Sequence, residues 1–237
     1  MWSASKWMDK NNVLCELTTH CNAKCPQCSR TNHNELTKNE YVKLKHINLN
    51  EWIDMFDKSY SQISSFHFSG QWGDVMMNPY VEDIFKHIVD NSEASISFST
   101  NGSLRDEEFF WRIGSLTNRI LGIFDIDGIT QETHEYYRRN TNLEKVMNNC
   151  ETFAMTNNQT HVFTVVFKHN QHEIDQITEW CNDRGIVHKP FQSNRFTRIP
   201  TCKYTWKGKE YILEQTTDKR FLDVYEEDGR TVRDWRK

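Results

Sequence analysis

Short apolar or β-branched runs alternate with longer stretches of helical periodicity from residue 13 onward. This alternation is typical of parallel strands that are joined by helical crossovers. Each run is short and largely apolar, as expected for strands that helices cover on their outer face. The pattern predicts six strands, over residues 13–17, 66–69, 95–99, 120–126, 161–167 and 187–191.

The segments between these runs predict helices. In residues 78–91, apolar side chains recur at helical spacing after an Asn-Pro start, and residues 173–184 form a second such segment that ends before Gly185. Because crossovers between parallel strands are right-handed, repeated units of this kind curl a sheet into a barrel. Six units are two fewer than a complete eight-fold barrel. We therefore predict an α/β fold, a partial (β/α)6 TIM barrel.

The pattern changes near the C-terminus. Residues 211–213 and 221–225 alternate between apolar and polar side chains, and Asp228 with Gly229 is a turn signal. These features predict a short C-terminal β-hairpin extension. We expect two units, a partial-barrel domain over residues 1–199 and the extension over residues 200–237.

Composition and charge narrow the class of protein. Of the 237 residues, 26% are charged and 13% aromatic, and the formal net charge is -4, which argues against disorder and against an overall basic field. No apolar run approaches the roughly 20 residues that a membrane span needs, and residues 1–10 lack the apolar core of a signal peptide. We expect a cytoplasmic protein with no membrane partner.

Three of the seven cysteines lie close together directly after the first predicted strand, at Cys21, Cys25 and Cys28. An odd total with this crowding indicates metal ligands rather than a secreted disulfide framework. Three ligands leave one metal position open, as catalysis requires of a bound metal. The alternative is a structural zinc site that is completed by one of Cys15, His20, Cys150, Cys181 or Cys202.

The segment that leads into this CxxxCxxC triplet, residues 14–22, resembles the radical S-adenosylmethionine (radical SAM) superfamily. The resemblance implies that Cys21, Cys25 and Cys28 bind a catalytic 4Fe-4S cluster. It also implies that S-adenosylmethionine chelates the fourth iron through its amino and carboxylate groups. The reduced cluster would then cleave S-adenosylmethionine to methionine and a 5′-deoxyadenosyl radical, so that the cofactors supply the difficult chemistry.

Polar, glycine-containing segments follow the next predicted strands. Residues 68–74 resemble the glycine-rich segment of the family that ends in Gly-Glu, which implies that Gly73 and Asp74 receive the methionine amino group, with Asp74 in place of the usual Glu. Ser99 and Asn101 belong to a segment that resembles the family's Thr-Asn-Gly, which implies contacts with the ribose hydroxyls. Gln27 stands where the family usually has a large apolar residue against adenine.

The later segments are similar to the peptide-modifying, SPASM-like branch of the family. Residues 125–128 resemble its Asp-Gly segment, which implies that Asp125 lines the ribose. Residues 136–139 resemble its Tyr-Arg pattern, in which an arginine fork pairs with the methionine carboxylate. This implies that role for Arg138, with Arg139 as the competing candidate. The branch often continues into an auxiliary-cluster domain, and with only Cys202 after the sixth strand we expect this domain to be incomplete.

The branch resemblance implies that the radical abstracts hydrogen from a peptide or protein residue, and that a flavodoxin- or ferredoxin-type protein supplies electrons. A nucleoside, nucleotide or sugar substrate is an alternative. So are a cluster protein without turnover and, as a different class, a zinc-stabilised binding module without catalysis. Nucleic-acid binding would need the basic side chains near the C-terminus to share one face, namely Lys203, Lys207, Lys209, Lys219 and Arg220.

Overall fold

A computed structural model describes residues 11–32, 35–196 and 201–222. Its central feature is one sheet of six parallel strands in sequential order, so that each strand pairs with its neighbours along the chain and the first and last strands are the edges. All six predicted strands are confirmed, with ends displaced by no more than two residues. They are β1 (Asn12–Cys15), β2 (Ser65–Phe68), β3 (Ser95–Thr100), β4 (Ile120–Asp125), β5 (Gln159–Val166) and β6 (Val187–Gln192).

Helices connect consecutive strands and complete a partial (β/α)6 barrel. They are α1 (Leu49–Phe56), α2 (Val81–Asn91), α3 (Glu107–Ser115), α4 (Gln131–Tyr137), α5 (Leu143–Ala154) and α6 (Ile174–Asn182). Short polar side chains begin several of them, since Asn48, Asp106, Thr130 and Asn142 each accept a hydrogen bond from the first turn. These caps set where each crossover starts.

The predicted helix over residues 78–91 begins later, at Val81. The Asn78 side chain does not enter the helix, because its amide donates to the carbonyl oxygens of Leu17 and Ile47 at 2.7 and 2.8 Å. Its Oδ1 accepts from the backbone N–H of Tyr80 at 2.7 Å. Asn78 therefore fixes the entry of α2 to the chain that follows β1, and helical geometry starts only beyond this turn.

The main core lies between the sheet and the helices and is rich in aromatic side chains. Fully buried rings extend from Trp52 on α1 to Phe153 on α5, and neighbouring centroids lie 5.1–6.5 Å apart. Burial of one such side chain stabilises the fold by about 1.5–3 kcal/mol. Cys15 packs against this core, as its position in an alternating strand predicts. Cys150 and Cys181 are fully buried within it.

A two-stranded hairpin follows the barrel, as predicted, with strands β7 (Thr201–Trp206) and β8 (Lys209–Glu214). Of the two alternating segments, residues 211–213 lie in β8 and pair with β7. The turn is Lys207-Gly208, where both residues have positive φ, as a two-residue hairpin turn requires. Phe221 is outside any strand, and the predicted turn at Asp228 lies outside the described residues.

The hairpin packs beside the carboxyl ends of the barrel strands. Its Tyr204 and Leu213 join a second buried cluster with Cys25, Tyr137 and Phe167. The predicted boundary between residues 199 and 200 lies outside the described residues and stays a prediction. In the part of the chain that the structure describes, no helix is long and apolar enough to cross a membrane.

Candidate functional site

A cavity of about 240 Å³ opens where the carboxyl ends of the parallel strands meet. The carboxyl end of each of the six strands, or the segment that follows it, contributes to the wall, as expected for the face at which barrel enzymes build their sites. Nine of the ten predicted site residues line it: Cys21, Cys25, Cys28, Gly73, Asp74, Ser99, Asn101, Asp125 and Arg138. The structure therefore brings these nine residues together at one cavity, and the cofactor contacts expected of them stay predictions.

The cysteine-bearing loop is fixed by backbone and arginine contacts that leave its thiols unused. The N–H of Lys24 donates to the carbonyl oxygen of Arg139 at 2.9 Å, and the N–H of Cys28 donates to that of Cys25 at 3.0 Å. Arg30 is buried under the loop, where its guanidinium donates to the carbonyl oxygens of Trp72 and Thr19 at 2.8 and 2.7 Å. The loop is thus preorganised around its sulfur atoms.

Nitrogen donors face two of the three sulfur atoms. Asn101 Nδ2 lies 3.9 Å from Cys21 Sγ, and Arg138 Nη1 lies 3.9 Å from Cys25 Sγ. Burial raises the pKa of the Cys25 thiol to about 12 and that of Cys21 above its ordinary value. A thiolate here therefore requires compensating positive charge, which an iron–sulfur core and these donors supply.

The donor set fits a 4Fe-4S cluster, since three thiols share one cavity and each can bind a separate iron. Within the described ranges, no three His, Cys, Asp or Glu side chains are grouped so as to hold a single metal ion. Several candidate ligands of the zinc alternative are engaged elsewhere. His20 stacks on His46, and Cys150 and Cys181 lie in the main core.

Asp74 connects the ends of β2 and β3. Its carboxylate accepts hydrogen bonds from the backbone N–H groups of Met76 and Asn101 at 3.0 and 2.8 Å, from the Thr100 hydroxyl at 2.9 Å and from the Asn101 side-chain amide. Burial raises the pKa of Asp74 against these stabilising donors. The protein itself therefore occupies most of the acceptor capacity of this carboxylate, which braces the cavity wall.

Gly73 and Glu16 shape the glycine-rich segment that precedes Asp74. A Cβ atom on Gly73 would overlap the carbonyl oxygen of Thr18, so only glycine fits this approach. The Glu16 carboxylate accepts from the Ser69 hydroxyl and from the backbone N–H groups of Gln71 and Trp72, the latter two at 2.8 and 3.2 Å. Sequence reasoning missed Glu16, because a single Glu after a strand carries no motif.

Arg138 lies between two carboxylates at the cavity wall. Its Nη1 is 2.9 Å from Asp125 Oδ2, and its Nε is 2.5 Å from Oδ2 of Asp127, a residue that the sequence analysis did not select. Asp127 is completely buried, and its other oxygen accepts from the N–H of Val165 at 2.6 Å. Burial raises the pKa of Asp125 to about 7, although Arg138 opposes this shift.

Arg139, the competing candidate, faces away from the cavity. Its Nη2 donates to the Tyr204 hydroxyl at 2.7 Å, and its guanidinium lies 4.1 Å from the centroid of the Tyr211 ring. Both partners belong to the C-terminal hairpin. Of the two neighbouring arginines, Arg138 therefore serves the cavity, and Arg139 anchors the hairpin.

Gln27, the tenth predicted site residue, is buried beside the cavity rather than in its lining. Its Oε1 accepts from the Ser193 hydroxyl at 2.8 Å, and its backbone carbonyl accepts from the guanidinium of Arg195. Ser193 and Arg195 follow β6 and line the cavity. Gln27 thus joins the cysteine loop to the last strand end, a contact that spacing along the chain could not reveal.

The comparisons with known proteins agree with this geometry. Residues 15–181 match the family model of the Radical SAM superfamily. No curated protein sequence matches the chain significantly.

Several solved structures share the fold. SuiB of Streptococcus suis bound to S-adenosylmethionine superposes with a TM-score of 0.63 at 12% identity, over 82% of this chain and 43% of that chain. SuiB bound to the precursor peptide SuiA superposes with a TM-score of 0.62 at 11% identity, over 79% of this chain and 40% of that chain. The protein anSMEcpe with bound AdoMet and the Kp18Cys peptide superposes with a TM-score of 0.57 at 20% identity, over 76% of this chain and 50% of that chain. This chain spans half the length of these proteins or less.

Proposed function

Because this chain belongs to the radical SAM superfamily, we propose that it is an enzyme that abstracts a hydrogen atom from a residue of a peptide or protein. The family uses a 4Fe-4S cluster and S-adenosylmethionine as cofactors. The observation that carries the proposal is the convergence of Cys21, Cys25 and Cys28 on one cavity at the carboxyl ends of the strands. No other cysteine lines that cavity in the parts of the chain that the structure describes.

Cys21, Cys25 and Cys28 would hold the cluster and leave one iron free for S-adenosylmethionine. When bound, these cofactors supply a 5′-deoxyadenosyl radical through one-electron reductive cleavage of S-adenosylmethionine, with an external protein as the electron donor. The cavity walls limit the access of water and stray reductants to the reacting atoms.

The methionine end of S-adenosylmethionine would lie between Arg138 and the glycine-rich segment. Nε and Nη1 of Arg138 already face Asp127 and Asp125, so its Nη2 would donate to the methionine carboxylate while the two aspartates hold the guanidinium plane in place. Since the acceptors of Asp74 are already engaged by the chain, this residue would act on the ammonium group mainly by holding Thr100 and Asn101 in place. Backbone carbonyls of the glycine-rich segment would share the ammonium contacts.

The nucleoside end would lie against the ends of β3 and β4. The Ser99 hydroxyl lines the cavity and has no hydrogen-bond partner among the described residues, so it is available to a ribose hydroxyl. Asp125 keeps 23% of its side chain exposed beside Arg138 and offers a second acceptor. Asn101 instead donates to Asp74 and Asn22, which favours a supporting role for its amide.

A peptide or protein substrate is favoured by the structural neighbours, because SuiB and anSMEcpe have both been crystallised with peptides. A radical site that opens at the strand ends can admit one side chain of a long substrate while the rest stays outside. The substrate residue would thus approach the cavity from the face that carries the strand ends.

The test begins with anaerobic purification and reconstitution with iron and sulfide. We expect about four irons and four sulfides per chain, and an EPR spectrum of the reduced protein that changes when S-adenosylmethionine is added. Cys25→Ala should lose the cluster, whereas Cys202→Ala, a cysteine outside the cavity, should keep it. A peptide library with 5′-deoxyadenosine and mass shifts as readouts then addresses the substrate. A protein that takes up only zinc would contradict the proposal.

A further inference from the structure

A positively charged surface lies on the outer side of the cysteine loop, and we call it the Trp206 surface. It consists of Trp206, Lys207 and Lys209 at the hairpin turn together with Lys24 from the cysteine loop. The ammonium groups of Lys24 and Lys207 lie 5.4 and 5.5 Å from the centroid of the Trp206 ring, within range of cation–π attraction. The surface therefore has an aromatic centre with cations around it.

These lysines form no ion pair with any residue in the described ranges. The chain carries a formal net charge of -4, so a local group of uncompensated lysines runs against its overall charge. Other exposed lysines, such as Lys58 and Lys189, also form no ion pair in the described ranges, so what distinguishes this surface is that Lys24 and Lys207 converge on one aromatic ring. An uncompensated basic region on an acidic chain favours a partner of negative charge.

The position of the Trp206 surface relates it to the candidate cluster site. Lys24 directly precedes Cys25 in the chain, and its neighbours Ala23 and Cys25 line the cavity while Lys24 does not. The Lys24 side chain instead reaches Trp206 on the hairpin. One short loop thus has its thiols on the inner side and a basic surface on the outer side.

A recess of about 320 Å³ adjoins this surface. Trp206 and Lys207 form one of its walls, and Asn140 and Thr141, in the segment between α4 and α5, form another. Glu135 also lines the recess, and its carboxylate lies 3.5 Å from the guanidinium of Arg139, which compensates its charge. The Asn140 amide donates to the carbonyl oxygen of Asn22 in the cysteine loop at 2.7 Å. The recess offers room for a side chain of a docked protein beside the lysines.

The hairpin is held firmly enough to present a preformed surface. Arg139, which is 3% exposed, donates to the Tyr204 hydroxyl and stacks on Tyr211. The Tyr136 hydroxyl donates to the carbonyl oxygen of Ile212 at 3.1 Å. Binding to a preformed surface loses less conformational entropy than binding to a mobile one.

We propose that the Trp206 surface docks an acidic one-electron carrier protein of the flavodoxin or ferredoxin type. The proposal rests on the proposed function, since only a cluster at Cys25 requires such a partner. In the transfer, the reduced carrier loses one electron and the oxidised cluster gains it, and no atom or proton leaves either protein. Docking on the outer side of the cysteine loop leaves the cavity mouth open to the substrate.

Nucleic acid is the less favoured partner, because the basic residues near the C-terminus do not share one face. Arg220 is paired near α6, and Lys203 lies on the face of β7 opposite to the buried Tyr204. The compact group around Trp206 suits a protein with a small acidic patch better than it suits a phosphate backbone, which needs an extended row of cations.

The experiment compares two variants of the reconstituted protein that change the net charge equally. Lys207→Glu/Lys209→Glu reverses the charge of the Trp206 surface. Lys58→Glu/Lys189→Glu is the matched control, since both lysines are exposed and neither belongs to the hairpin or to the cysteine loop. Calorimetry with an acidic flavodoxin at two salt concentrations gives the affinity, and stopped-flow absorbance gives the rate of cluster reduction by reduced flavodoxin.

We expect the first variant to bind flavodoxin about tenfold more weakly and to be reduced about tenfold more slowly than the unaltered protein, with a smaller effect of salt. The control variant should bind normally. Equal affinity of both variants for flavodoxin would overturn the docking surface. The docking surface would also be overturned if the first variant lost affinity for an RNA oligonucleotide but still bound flavodoxin normally.

Reduction by dithionite separates this proposal from the proposed function. Dithionite needs no docking surface, so the unaltered protein and both variants should form 5′-deoxyadenosine equally with this reductant. If the unaltered protein forms none, the proposed function fails. If it does and flavodoxin binding is indifferent to Lys207 and Lys209, the proposed function stands and the docking surface fails.

Discussion

The Nε atom of Arg138 donates a hydrogen bond to Oδ2 of Asp127 at 2.5 Å, and Asp127 is completely buried. Asp127 in turn is fixed from several sides. Its Oδ1 accepts from the N–H of Val165, and its carbonyl oxygen accepts from the Asn170 amide at 3.0 Å. Since Arg138 also faces Cys25 Sγ, Asp127 determines where a positive charge lies relative to the candidate cluster site.

Asp127→Asn tests this positioning. Asp127 accepts from Val165 on one oxygen and from Arg138 on the other, whereas an Asn side chain has only one acceptor. One N–H donor would therefore be left buried without a partner, and we expect unfolding in urea to show a loss of about 1–3 kcal/mol. Asp175→Asn, which removes an exposed partner of Arg220, should cost less than about 1 kcal/mol. Equal losses in the two variants would contradict the argument.

Arg138→Lys separates charge from geometry at the cavity. A lysine keeps the positive charge but lacks the planar fork that reaches Asp125 and Asp127 while leaving a further N–H for the methionine carboxylate. We expect the Kd of the reconstituted protein for S-adenosylmethionine to rise about tenfold, as measured by calorimetry. Arg139→Lys should leave this Kd within about twofold while it lowers stability, because Arg139 contacts the hairpin instead. The reverse ranking would show that Arg139 holds the carboxylate.

Gly73→Ala tests the close approach of the glycine-rich segment to the chain after β1. The added methyl group would overlap backbone atoms of Thr18, which cannot move aside as a flexible side chain can. We expect the variant to lose about 2 kcal/mol or more of stability and to retain less iron after reconstitution. Gly185→Ala is the control, because it meets no atom within 4 Å and bears only the strain of a positive φ, about 1 kcal/mol. A normal iron content in Gly73→Ala would show that the segment adapts.

The sequence predicts the barrel well because each strand is a short apolar run between polar helical segments, and burial decides both patterns. The strand ends then converge by topology alone, so Asp74, Asp125 and Arg138 meet although they are far apart in the chain. Contacts that depend on the direction of a side chain could not be predicted from the sequence. Spacing could not show that Arg138 faces the cavity while Arg139 faces the hairpin, or that Asp127 and not only Asp125 pairs with Arg138.

The position of the hairpin turn at Lys207-Gly208 was not predicted from the sequence, for a different reason. Lys adopts the positive φ of the first turn position less readily than Asp does, so the Lys207-Gly208 pair is a weaker turn signal than Asp228-Gly229. What decides the pairing is burial, since Tyr204 and Leu213 fall on the face that packs against Phe167 and Tyr137. Tertiary packing thus places a hairpin turn at Lys207-Gly208, where the local sequence signal is weak.

Asp125 makes the free energy of unfolding depend on pH, and Asp125→Asn should reduce this dependence. Burial raises the pKa of Asp125 to about 7 in the folded protein, while the unfolded chain has the ordinary value near 3.8. Between these two values the folded state holds a proton that the unfolded state has released, so the stability present below the unfolded pKa is lost as pH rises toward 7. In the cluster-free protein, we expect the free energy of unfolding of Asp125→Asn, relative to the unaltered protein, to increase by about 2 kcal/mol between pH 5 and pH 7. Urea unfolding at both pH values measures this difference. A constant difference would show that Asp125 is ionised across this range, with Arg138 compensating fully for its burial.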